Sequence, residues 1–351
     1  MEQVKRVLNM QASTKFGPIP VGLMTALPNA GIGLSIPKET SDLNAFAGSL
    51  QARVGLSAKL GRKIRSRRHA RTAPIALGDV SEEGKGRTAL ITGASSGIGW
   101  SISELLAAKG YDLIVVSRRE VRLEALRREL EGRWNVRVFV LVFDLGGDGA
   151  AQNIHRQLLR QGLTVDFLVN CAGYALSGPY LSHSWEEQAQ FVNVMAINVA
   201  QLCRFLLPTM LERGWGRVLN VSSLAALMPG TPNMVLYAAS KAFVEKMTEG
   251  LAMEYQQAGI NCTVSLPGIT DTELLAEDTF SAYTESSLLV QLAVMRPETV
   301  ARQAYLACMQ GRYRIVHGWH NRVWAFSLTH MPHALRYRMS TFTARASHHK
   351  S

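Results

Sequence analysis

The chain has 351 residues, 47% of them hydrophobic, and a formal net charge of +11 at pH 7. The charge lies at the ends: residues 1–85 contain thirteen basic and six acidic residues, residues 299–351 contain eight basic and no acidic ones, and residues 86–298 contain seventeen basic and twenty-one acidic ones. Because the central part is mildly acidic, we do not expect it to take nucleic acid as its substrate. The four cysteines have no C-x-x-C spacing, which indicates reduced thiols in a cytosolic protein rather than a disulfide framework.

The first 85 residues are predicted to be a basic, largely disordered leader. The stretch between Lys15 and Lys38 is uncharged, but prolines and glycines break it, so it predicts neither a membrane-spanning helix nor a signal peptide. The basic run at 59–71 fits anionic lipid, nucleic acid or a transit segment, or else the start codon is assigned too far upstream. We expect the catalytic part to begin near residue 86.

A strand predicted at Arg87–Thr92 ends in a glycine-rich turn, Thr92-Gly93-Ala94-Ser95-Ser96-Gly97-Ile98-Gly99, and a helix is predicted at Ile98–Lys109. Gly93 permits a tight turn, Gly97 leaves room for a pyrophosphate, and Gly99 lets the helix approach the sheet. Free N–H groups at the helix start favour a phosphate. The turn therefore predicts a dinucleotide site, although glycines of this kind also form ordinary turns.

An unbroken apolar run at Tyr111–Ser117 predicts a second strand, and Arg118 and Arg119 follow it. A carboxylate here would bind the ribose hydroxyls of NAD, whereas an arginine would meet the 2′-phosphate of NADP. We therefore expect NADP(H) as the preferred cofactor and NAD(H) as the alternative, with Arg118 the stronger candidate and Arg119 the weaker. The other interpretation is that both arginines merely begin a solvated, arginine-rich helix.

Further strands end in short polar or glycine-containing segments. They are Arg137–Phe143, followed by Asp144-Leu145; Phe167–Asn170, leading into Asn170-Cys171-Ala172-Gly173; the run at 216–223, which ends in Ser222-Ser223; and Asn261–Leu266, followed by Pro267-Gly268-Ile269-Thr270-Asp271-Thr272. Cys171 is interpreted as a small packing residue and not as a nucleophile.

Tyr237 and Lys241 lie four residues apart in a predicted helix, so their side chains share a face. A free phenol titrates at about pH 10. A nearby ammonium, together with the positive nicotinamide ring of a bound cofactor, would lower that pKa and make the phenol a useful acid and base near neutral pH. Ser223 would hydrogen-bond a substrate oxygen and hold a carbonyl carbon near a hydride source.

The segment at 319–342 interleaves aromatic and apolar residues with arginines and histidines and has no acidic residue. This composition is typical of an interfacial membrane helix, which Pro332 would divide into two short pieces. The alternative is a tail that packs over the substrate site or forms dimer contacts. The histidines lack the spacing and the carboxylate partners of a metal site, so no metal is predicted.

Together, the glycine turn, the Tyr237–Lys241 segment, Ser223 and the P-G-x-x-x-T sequence at 267–272 resemble the classical short-chain dehydrogenase/reductase family over residues 86–275. The resemblance implies an α/β fold, a doubly wound Rossmann-like parallel sheet of about seven strands flanked by helices, with an N-terminal extension and a basic C-terminal tail. It implies a catalytic domain at 86–298 with a substrate lid at 273–296, and a final helix, strand and tail at 299–351.

The resemblance also implies a catalytic group of Asn198, Ser223, Tyr237 and Lys241. Tyr237 would exchange the proton, and Asn198 would anchor a water chain to Lys241, which would also hold the nicotinamide ribose. Ser223 is preferred to Ser222 because its distance from the tyrosine in sequence is the family's usual one, and Ser222 would then support the strand end.

For the cofactor, the resemblance implies that Asp144 meets the adenine amino group, that Asn170 ties the sheet together and that Ala172-Gly173 passes beneath the adenosine ribose. Backbone near Ile269 and the hydroxyl of Thr272 would meet the nicotinamide carboxamide. The expected cofactor-binding residues are Thr92, Gly93, Ser95, Ser96, Gly97, Ile98, Gly99, Arg118, Arg119, Asp144, Leu145, Asn170, Ala172, Gly173, Tyr237, Lys241, Pro267, Gly268, Ile269 and Thr272.

We therefore predict an NADP(H)-dependent oxidoreductase that reversibly reduces a ketone or aldehyde to an alcohol, with tyrosine as general acid and base. The largely apolar lid favours a hydrophobic small-molecule carbonyl substrate, or else its residues only pack the lid helices. The alternatives are a catalytically silent NADP(H)-binding regulatory protein and a membrane-surface reductase of lipid carbonyls. We expect a cytoplasmic homo-oligomer without a nucleic-acid partner, and peripheral membrane contact through the C-terminal tail is the second interpretation.

Overall fold

The computed structural model describes residues 81–273, 293–338 and 340. All of them belong to the second of the two units into which the chain divides, Pro74–Ser351. The expectations for the leader up to residue 80, for the lid between 274 and 292, and for the tail beyond 340 therefore lie outside the described residues.

Seven parallel strands form one sheet in the order β3-β2-β1-β4-β5-β6-β7. They are β1 (Thr88–Thr92), β2 (Asp112–Ser117), β3 (Val138–Val142), β4 (Phe167–Asn170), β5 (Gly216–Val221), β6 (Ile260–Leu266) and β7 (Arg314–Val316). The predicted bounds of β1, β2, β3, β4 and β6 lie within one residue of these at each end, and the predicted run at 216–223 extends two residues beyond β5. The predicted doubly wound fold is confirmed.

Helices cover both faces of the sheet. They are α1 (Gly97–Ala108), α2 (Glu120–Arg133), α3 (Ala150–Arg160), α4 (Trp185–Val192), α5 (Asn198–Glu212), α6 (Val235–Tyr255), α7 (Pro297–Met309) and α8 (Trp319–His330). A π-helical segment, Asn193–Ile197, joins α4 to α5, and short 3-10 turns lie at Tyr180–Ser182, Leu224–Leu227 and Gln256–Ala258.

The strands are buried on both sides, which explains their unbroken apolar runs. In β1, Leu90 points into the cluster formed with α3, α5 and α6, whereas Ala89 and Ile91 point into the cluster formed with α1, α2 and α7. A third, smaller cluster joins Ala325 of α8 to β6. The alternation of side chains along one strand thus fills both core layers.

Among the described residues, one helical stretch, Trp185–Glu212, is long and apolar enough to cross a membrane by length and composition. Half of its most apolar window is buried inside the protein, and Phe191, Leu202 and Leu206 belong to the core cluster under the sheet. That arrangement is the one expected of a core helix in a globular domain.

Residues 81–85, which we predicted to end the leader, contact the sheet domain. The amides of Ser81 and Gly84 donate to the carbonyls of Ala108 and Lys109 at the end of α1. A Cβ on Gly84 would lie 2.1 Å from the Tyr111 ring, so this turn fits closely against the domain.

Candidate active site

The predicted site residues meet at the carboxyl edge of the sheet, where β1, β4, β5 and β6 end. The strand order reverses between β1 and β4, since the chain winds outward from β1 in one direction and from β4 in the other. Ligands of open parallel sheets bind in the crevice at such a reversal. The fold therefore places the glycine turn after β1 beside the segments that follow the other strands.

Each glycine of the turn has a geometric reason. Gly93 has φ +70°, and a Cβ there would lie 2.8 Å from the backbone of Ala172. Gly97 has φ +56°, and a Cβ there would lie 2.8 Å from the Thr272 methyl group. A Cβ on Gly99 would lie 2.3 Å from the Gly93 carbonyl oxygen. The turn thus packs closely against two other segments of the site.

The start of α1 fits a phosphate. Ser96 is the N-cap residue of α1, and its side chain makes no capping hydrogen bond. The first backbone N–H groups of a helix lack intrahelical acceptors and carry the positive end of the helix dipole, so they are suited to an anionic group. Ile98 and Gly99 lie in this first turn, as the sequence pattern predicted.

Thr92 fixes the turn to the segment that follows β4. Its Oγ1 accepts hydrogen bonds from the amides of Cys171, at 3.0 Å, and Ala172, at 3.2 Å. Burial raises the pKa of Cys171 to about 12, although the charge of Lys241 opposes the rise. The thiol is therefore protonated near neutral pH, which agrees with a packing role.

Asn170 ties two central strands together. Its Nδ2 donates to Asn220 Oδ1 at 2.8 Å, and Asn220 in turn donates to Thr248 Oγ1 on α6 at 2.9 Å. All three side chains are buried. We did not predict Asn220 or Thr248, although an asparagine and a threonine inside apolar runs are signals that could have been noticed.

The two arginines after β2 make different contacts. Arg119 Nε donates to Ser95 Oγ at 3.0 Å and its Nη2 donates to Ser96 Oγ at 2.6 Å, so Arg119 lies directly on the glycine turn. Arg118, which we ranked as the stronger candidate, is more exposed and lies 3.9 Å from Asp144. Residue 119 is also the N-cap of α2.

Asp144 and Leu145 follow β3 as predicted, and the Leu145 carbonyl is bonded to Asn198. Asp144 Oδ1 accepts from the amide of Gly146 at 2.9 Å, which forms a tight turn. Asn198 Nδ2 donates to the Leu145 carbonyl at 2.6 Å, and its Oδ1 accepts from the amide of Ala151 at 2.8 Å. Asn198 thus holds the segment between β3 and α3 against the start of α5.

The hydrogen bonds of Asn198 run to backbone groups. The third of them runs from its Nδ2 to the carbonyl of Asn193 at 2.9 Å, within the π-helical segment. With the bonds to Leu145 and Ala151, Asn198 thus contacts three backbone positions, and the water chain that we expected from it to Lys241 stays a prediction. The side chain therefore positions the backbone around the site.

Ser222 and Ser223 separate into two functions. Ser222 is buried, and its Oγ donates to the Lys241 carbonyl at 2.7 Å, so it supports the strand end. Ser223 begins the 3-10 turn after β5, and its Oγ accepts from the Ala225 amide at 3.1 Å. The same hydroxyl lies beside Tyr237, where it opposes the rise in the pKa of the phenol. The choice of Ser223 over Ser222 for the substrate oxygen stays a prediction.

Tyr237 and Lys241 share a face of α6, and the Lys241 Nζ lies 5.8 Å from the centre of the phenol ring. The same Nζ donates to the Val221 carbonyl at 3.0 Å. A Cβ on Gly173 would lie 3.0 Å from the Met195 sulfur and 3.8 Å from this Nζ, the second being an ordinary contact distance. The Gly173 backbone therefore passes close to Met195 and next to the ammonium.

Burial governs the acidity of both catalytic candidates. It raises the pKa of Tyr237, although the neighbouring Ser223 hydroxyl opposes the rise, and it lowers the pKa of Lys241 to about 8. The lowering of the tyrosine pKa that we expected from Lys241 together with the nicotinamide ring concerns the cofactor-bound site, and it stays a prediction.

The P-G-x-x-x-T segment lies between the glycine turn and α8. The Pro267 carbonyl accepts from the Leu224 amide at 3.0 Å, and the Ile269 carbonyl accepts from the Met295 amide at 2.9 Å. Gly268 faces Asn321 of α8, where a Cβ would lie 2.5 Å from the amide group. Thr272 reaches Gly97, which brings the last predicted cofactor residue to the glycine turn.

The described residues contain no group of three or more histidine, cysteine, aspartate or glutamate side chains that could hold a metal ion. The C-terminal histidine that is most buried, His317, instead bonds to Ser265 Oγ at 2.8 Å and to Gln303 Oε1 at 3.1 Å. Burial, assisted by Arg322, lowers its pKa to about 4. It is a neutral core residue at neutral pH.

Comparison with known proteins agrees with this geometry. The family model of the short chain dehydrogenases matches residues 87–281. A short chain dehydrogenase of Pseudocercospora fijiensis is 36% identical over 197 residues, which is 55% of this chain and 63% of the relative. A very-long-chain 3-oxoacyl-CoA reductase of Danio rerio is 32% identical over 193 residues, 54% of this chain and 61% of the relative.

A short-chain dehydrogenase from Sphingobium yanoikuyae, solved in complex with NADPH, superimposes with a TM-score of 0.62 at 28% identity. The alignment covers 69% of this chain and 92% of that one. Against the two curated relatives the chain spans less than two thirds of their length, 63% and 61%.

Proposed function

The chain belongs to the short-chain dehydrogenase family, and from that premise we propose that it is an NADP(H)-dependent oxidoreductase that interconverts a ketone or aldehyde and the corresponding alcohol. The observation that carries the proposal is the meeting of Ser223, Tyr237 and Lys241 beside the glycine turn at one edge of the sheet. A site that only binds a dinucleotide has no chemical need for a phenol and a buried ammonium next to each other.

NADP(H), when bound, supplies or accepts the hydride. Tyr237 would donate its phenolic proton to the substrate oxygen in the reductive direction and recover it in the oxidative one. Ser223 would donate a hydrogen bond to the same oxygen and hold it at the phenol. Lys241, with a pKa of about 8, carries a positive charge on most molecules at neutral pH and would favour the phenolate form.

For the cofactor, Arg119 together with Ser95 and Ser96 would bind the 2′-phosphate. The guanidinium already donates to both serine hydroxyls, so three donors converge at one point beside the turn. Arg118, next to Asp144, would lie at the adenine side of the same pocket. The presence of NADPH in the Sphingobium structure supports this choice over NAD(H).

The test has a binding part and a turnover part. NADPH and NADH are titrated by fluorescence, and NADPH oxidation is followed with a panel of carbonyl compounds. Tyr237→Phe should lower kcat by about 10² to 10⁴, the usual contribution of a general acid, and leave the Kd for NADPH within about twofold. Tyr313→Phe, which removes an exposed phenol, is the matched control.

Two outcomes would count against the proposal. Near-normal turnover of Tyr237→Phe would rule out the phenol as proton donor. Tight NADPH binding with no turnover across the whole panel would favour the silent, cofactor-binding alternative.

As substrate class we propose 3-oxoacyl thioesters with long acyl chains. Several curated relatives carry the name very-long-chain 3-oxoacyl-CoA reductase, at 30–32% identity. This substrate class is tested by comparing kcat/KM for short and long 3-oxoacyl thioesters. A rise with chain length supports the proposal, and a flat profile or a preference for small polar ketones contradicts it.

We also propose that α8 and the following helical turn at 333–338 meet a membrane surface. One side of α8 is held in the domain through Ala325 and Leu328, while Trp319 and Phe326 are 77% and 64% exposed. Arg322 is exposed on the same helix. Exposed aromatic residues next to cations, without acidic residues, fit an anionic lipid surface.

Flotation with vesicles tests this surface. The protein should float with vesicles that contain anionic lipid and less with purely zwitterionic ones, and replacing Trp319 and Phe326 by serine should reduce the bound fraction. Val121→Ser, at an exposed apolar position on α2, is the control. Equal behaviour of the double variant and the control would leave the cytoplasmic location as the better hypothesis.

We further propose a homo-oligomer that uses the outer faces of α5 and α6. These two helices leave a shallow apolar groove lined by Leu207, Leu211, Met247 and Leu251, with Arg204 at its side. A second copy would cover this groove. Light scattering on the purified protein should give more than one chain per particle, and a monomer would refute the proposal.

A further inference from the structure

We infer that Glu273 competes with the 2′-phosphate of the cofactor for an arginine pair, Arg119 and Arg122, and so sets how strongly the protein prefers NADP(H) to NAD(H). The inference rests on the proposed function, because it concerns the same phosphate site. It adds a specificity-determining residue that does not belong to any of the sequence motifs.

The carboxylate of Glu273 is held by both arginines. Arg119 donates from Nη1 to one carboxylate oxygen, and Arg122 donates from Nη1 to the other. The remaining donors of Arg119 reach the hydroxyls of Ser95 and Ser96. Glu273 thus occupies donors of both arginines, beside the serines of the glycine turn.

The position of Glu273 in the chain explains how it reaches this point. It directly follows Thr272, the last residue of the P-G-x-x-x-T segment, whose methyl group faces Gly97. The segment therefore passes over the glycine turn and ends on the arginine pair. An anionic side chain from the substrate side of the site lies where the proposed phosphate would bind.

The phosphate is expected to bind the arginine pair more strongly than the Glu273 carboxylate does. A phosphate monoester carries about −1.5 to −2 charge at pH 7 and three acceptor oxygens, whereas a carboxylate carries −1 and two oxygens. Arginine binds both groups, so the phosphate would displace the carboxylate but at a cost. NADH has no phosphate at this place and would leave the contact between Glu273 and the arginine pair intact.

A purely positioning role for Glu273 predicts the opposite change in NADPH affinity when the carboxylate is removed. If the carboxylate only oriented Arg119, its removal would weaken NADPH binding. Arg119 is, however, also bonded to Ser95 and Ser96, and these contacts keep the guanidinium on the turn when the carboxylate is lost. We therefore expect that removing the charge strengthens phosphate binding.

The experiment compares the full-length wild-type protein with Glu273→Gln and with the control Glu124→Gln. Glu124 pairs with Arg127 on α2 instead of with Arg119 or Arg122, and its replacement changes the net charge equally. Dissociation constants are measured by calorimetry for NADPH and NADH, and for the fragments 2′,5′-ADP and 5′-AMP, which lack the nicotinamide. Circular dichroism confirms that each variant is folded.

Glu273→Gln should lower the Kd for NADPH and for 2′,5′-ADP about threefold to tenfold, the range expected when one partly exposed ion-paired carboxylate no longer competes. The Kd values for NADH and 5′-AMP should stay within about twofold, and Glu124→Gln should change none of them.

Unchanged or weaker NADPH binding by Glu273→Gln would overturn the inference, as would an equal gain for NADPH and NADH, which would mean general repulsion of the pyrophosphate. These failures differ from failure of the proposed function, which would appear as wild-type protein that binds neither NADPH nor 2′,5′-ADP.

Discussion

Replacing Lys241 by methionine should stabilise the fold at neutral pH while it removes activity. Burial lowers the pKa of Lys241 from its ordinary value of 10.5 to about 8. One pKa unit corresponds to about 1.4 kcal/mol, so holding the ammonium in the folded protein costs about 3 kcal/mol at pH 7. Methionine fills a similar volume without a charge.

The pH dependence follows from the sign of this shift. Because the folded-state pKa is the lower one, the unfolded chain binds more protons between about pH 8 and pH 10.5, and the free energy of unfolding rises with pH across that window. The cost is fully present below pH 8. Methionine also removes the bond to the Val221 carbonyl, a loss of about 1 kcal/mol at every pH.

The net gain of Lys241→Met is therefore about 2 kcal/mol at pH 7, or about 4 to 8 °C in Tm, and it should vanish near pH 10. Thermal and urea denaturation at the two pH values measure it. Lys246→Met, which removes an exposed lysine from the same helix, should change little. A Lys241→Met protein that is destabilised equally at both pH values would refute the reasoning, since it would show that the ammonium is not desolvated.

Three further predictions concern neighbouring positions. Ser223→Ala should lower kcat/KM by about 10² to 10³ because it removes a hydrogen bond to the reacting oxygen. Ser222→Ala should chiefly lower the free energy of unfolding, by about 1 kcal/mol, because it removes the hydrogen bond from the buried hydroxyl to the Lys241 carbonyl. Steady-state kinetics and urea denaturation separate the two, and equal kinetic losses would contradict the assignment. Gly99→Ala should lower the free energy of unfolding by about 1 to 3 kcal/mol, since its Cβ would lie 2.3 Å from the Gly93 carbonyl oxygen, whereas Gly132→Ala, with open space around it, should be neutral or slightly stabilising in the same urea assay. His317→Gln should reduce the loss of stability between about pH 6.5 and pH 4, because the pKa of His317 is lowered to about 4 in the folded protein and protonation therefore favours the unfolded chain; an unchanged acid profile would show that His317 does not contribute.

The sequence was sufficient for the fold because each predicted strand is an apolar run covered on both faces. β4 was predicted at its observed bounds, Phe167–Asn170, since a polar asparagine ends it abruptly. The glycine turn was predictable because a left-handed backbone at Gly93 and Gly97 favours glycine. The glycines also stand at the positions where other segments approach the turn closely.

The sequence was insufficient where the outcome depends on side-chain direction or on desolvation. Arg118 and Arg119 are adjacent and chemically identical, so only the backbone direction at the start of α2 decides that Arg119 reaches Ser95 and Ser96. The rise in the Tyr237 pKa likewise depends on burial, which the four-residue spacing to Lys241 does not reveal. The helical spacing predicts which groups meet, and their surroundings decide how they titrate.

The positive charges of the site lie in two environments, and the difference fits the two tasks that we propose for them. Arg119 and Arg122 are partly exposed, so salt screens their charges and their ion pairs with Glu273 are weak. Weak ion pairs suit a site from which a cofactor must be released after each turnover. Lys241 is buried and almost unscreened, so its charge acts on Tyr237 at nearly constant strength whatever the ionic strength. That constancy costs stability, and the apolar layers around β1 and β5 are large enough to offset it. A surface lysine at the same spacing would cost less and would influence the phenol less.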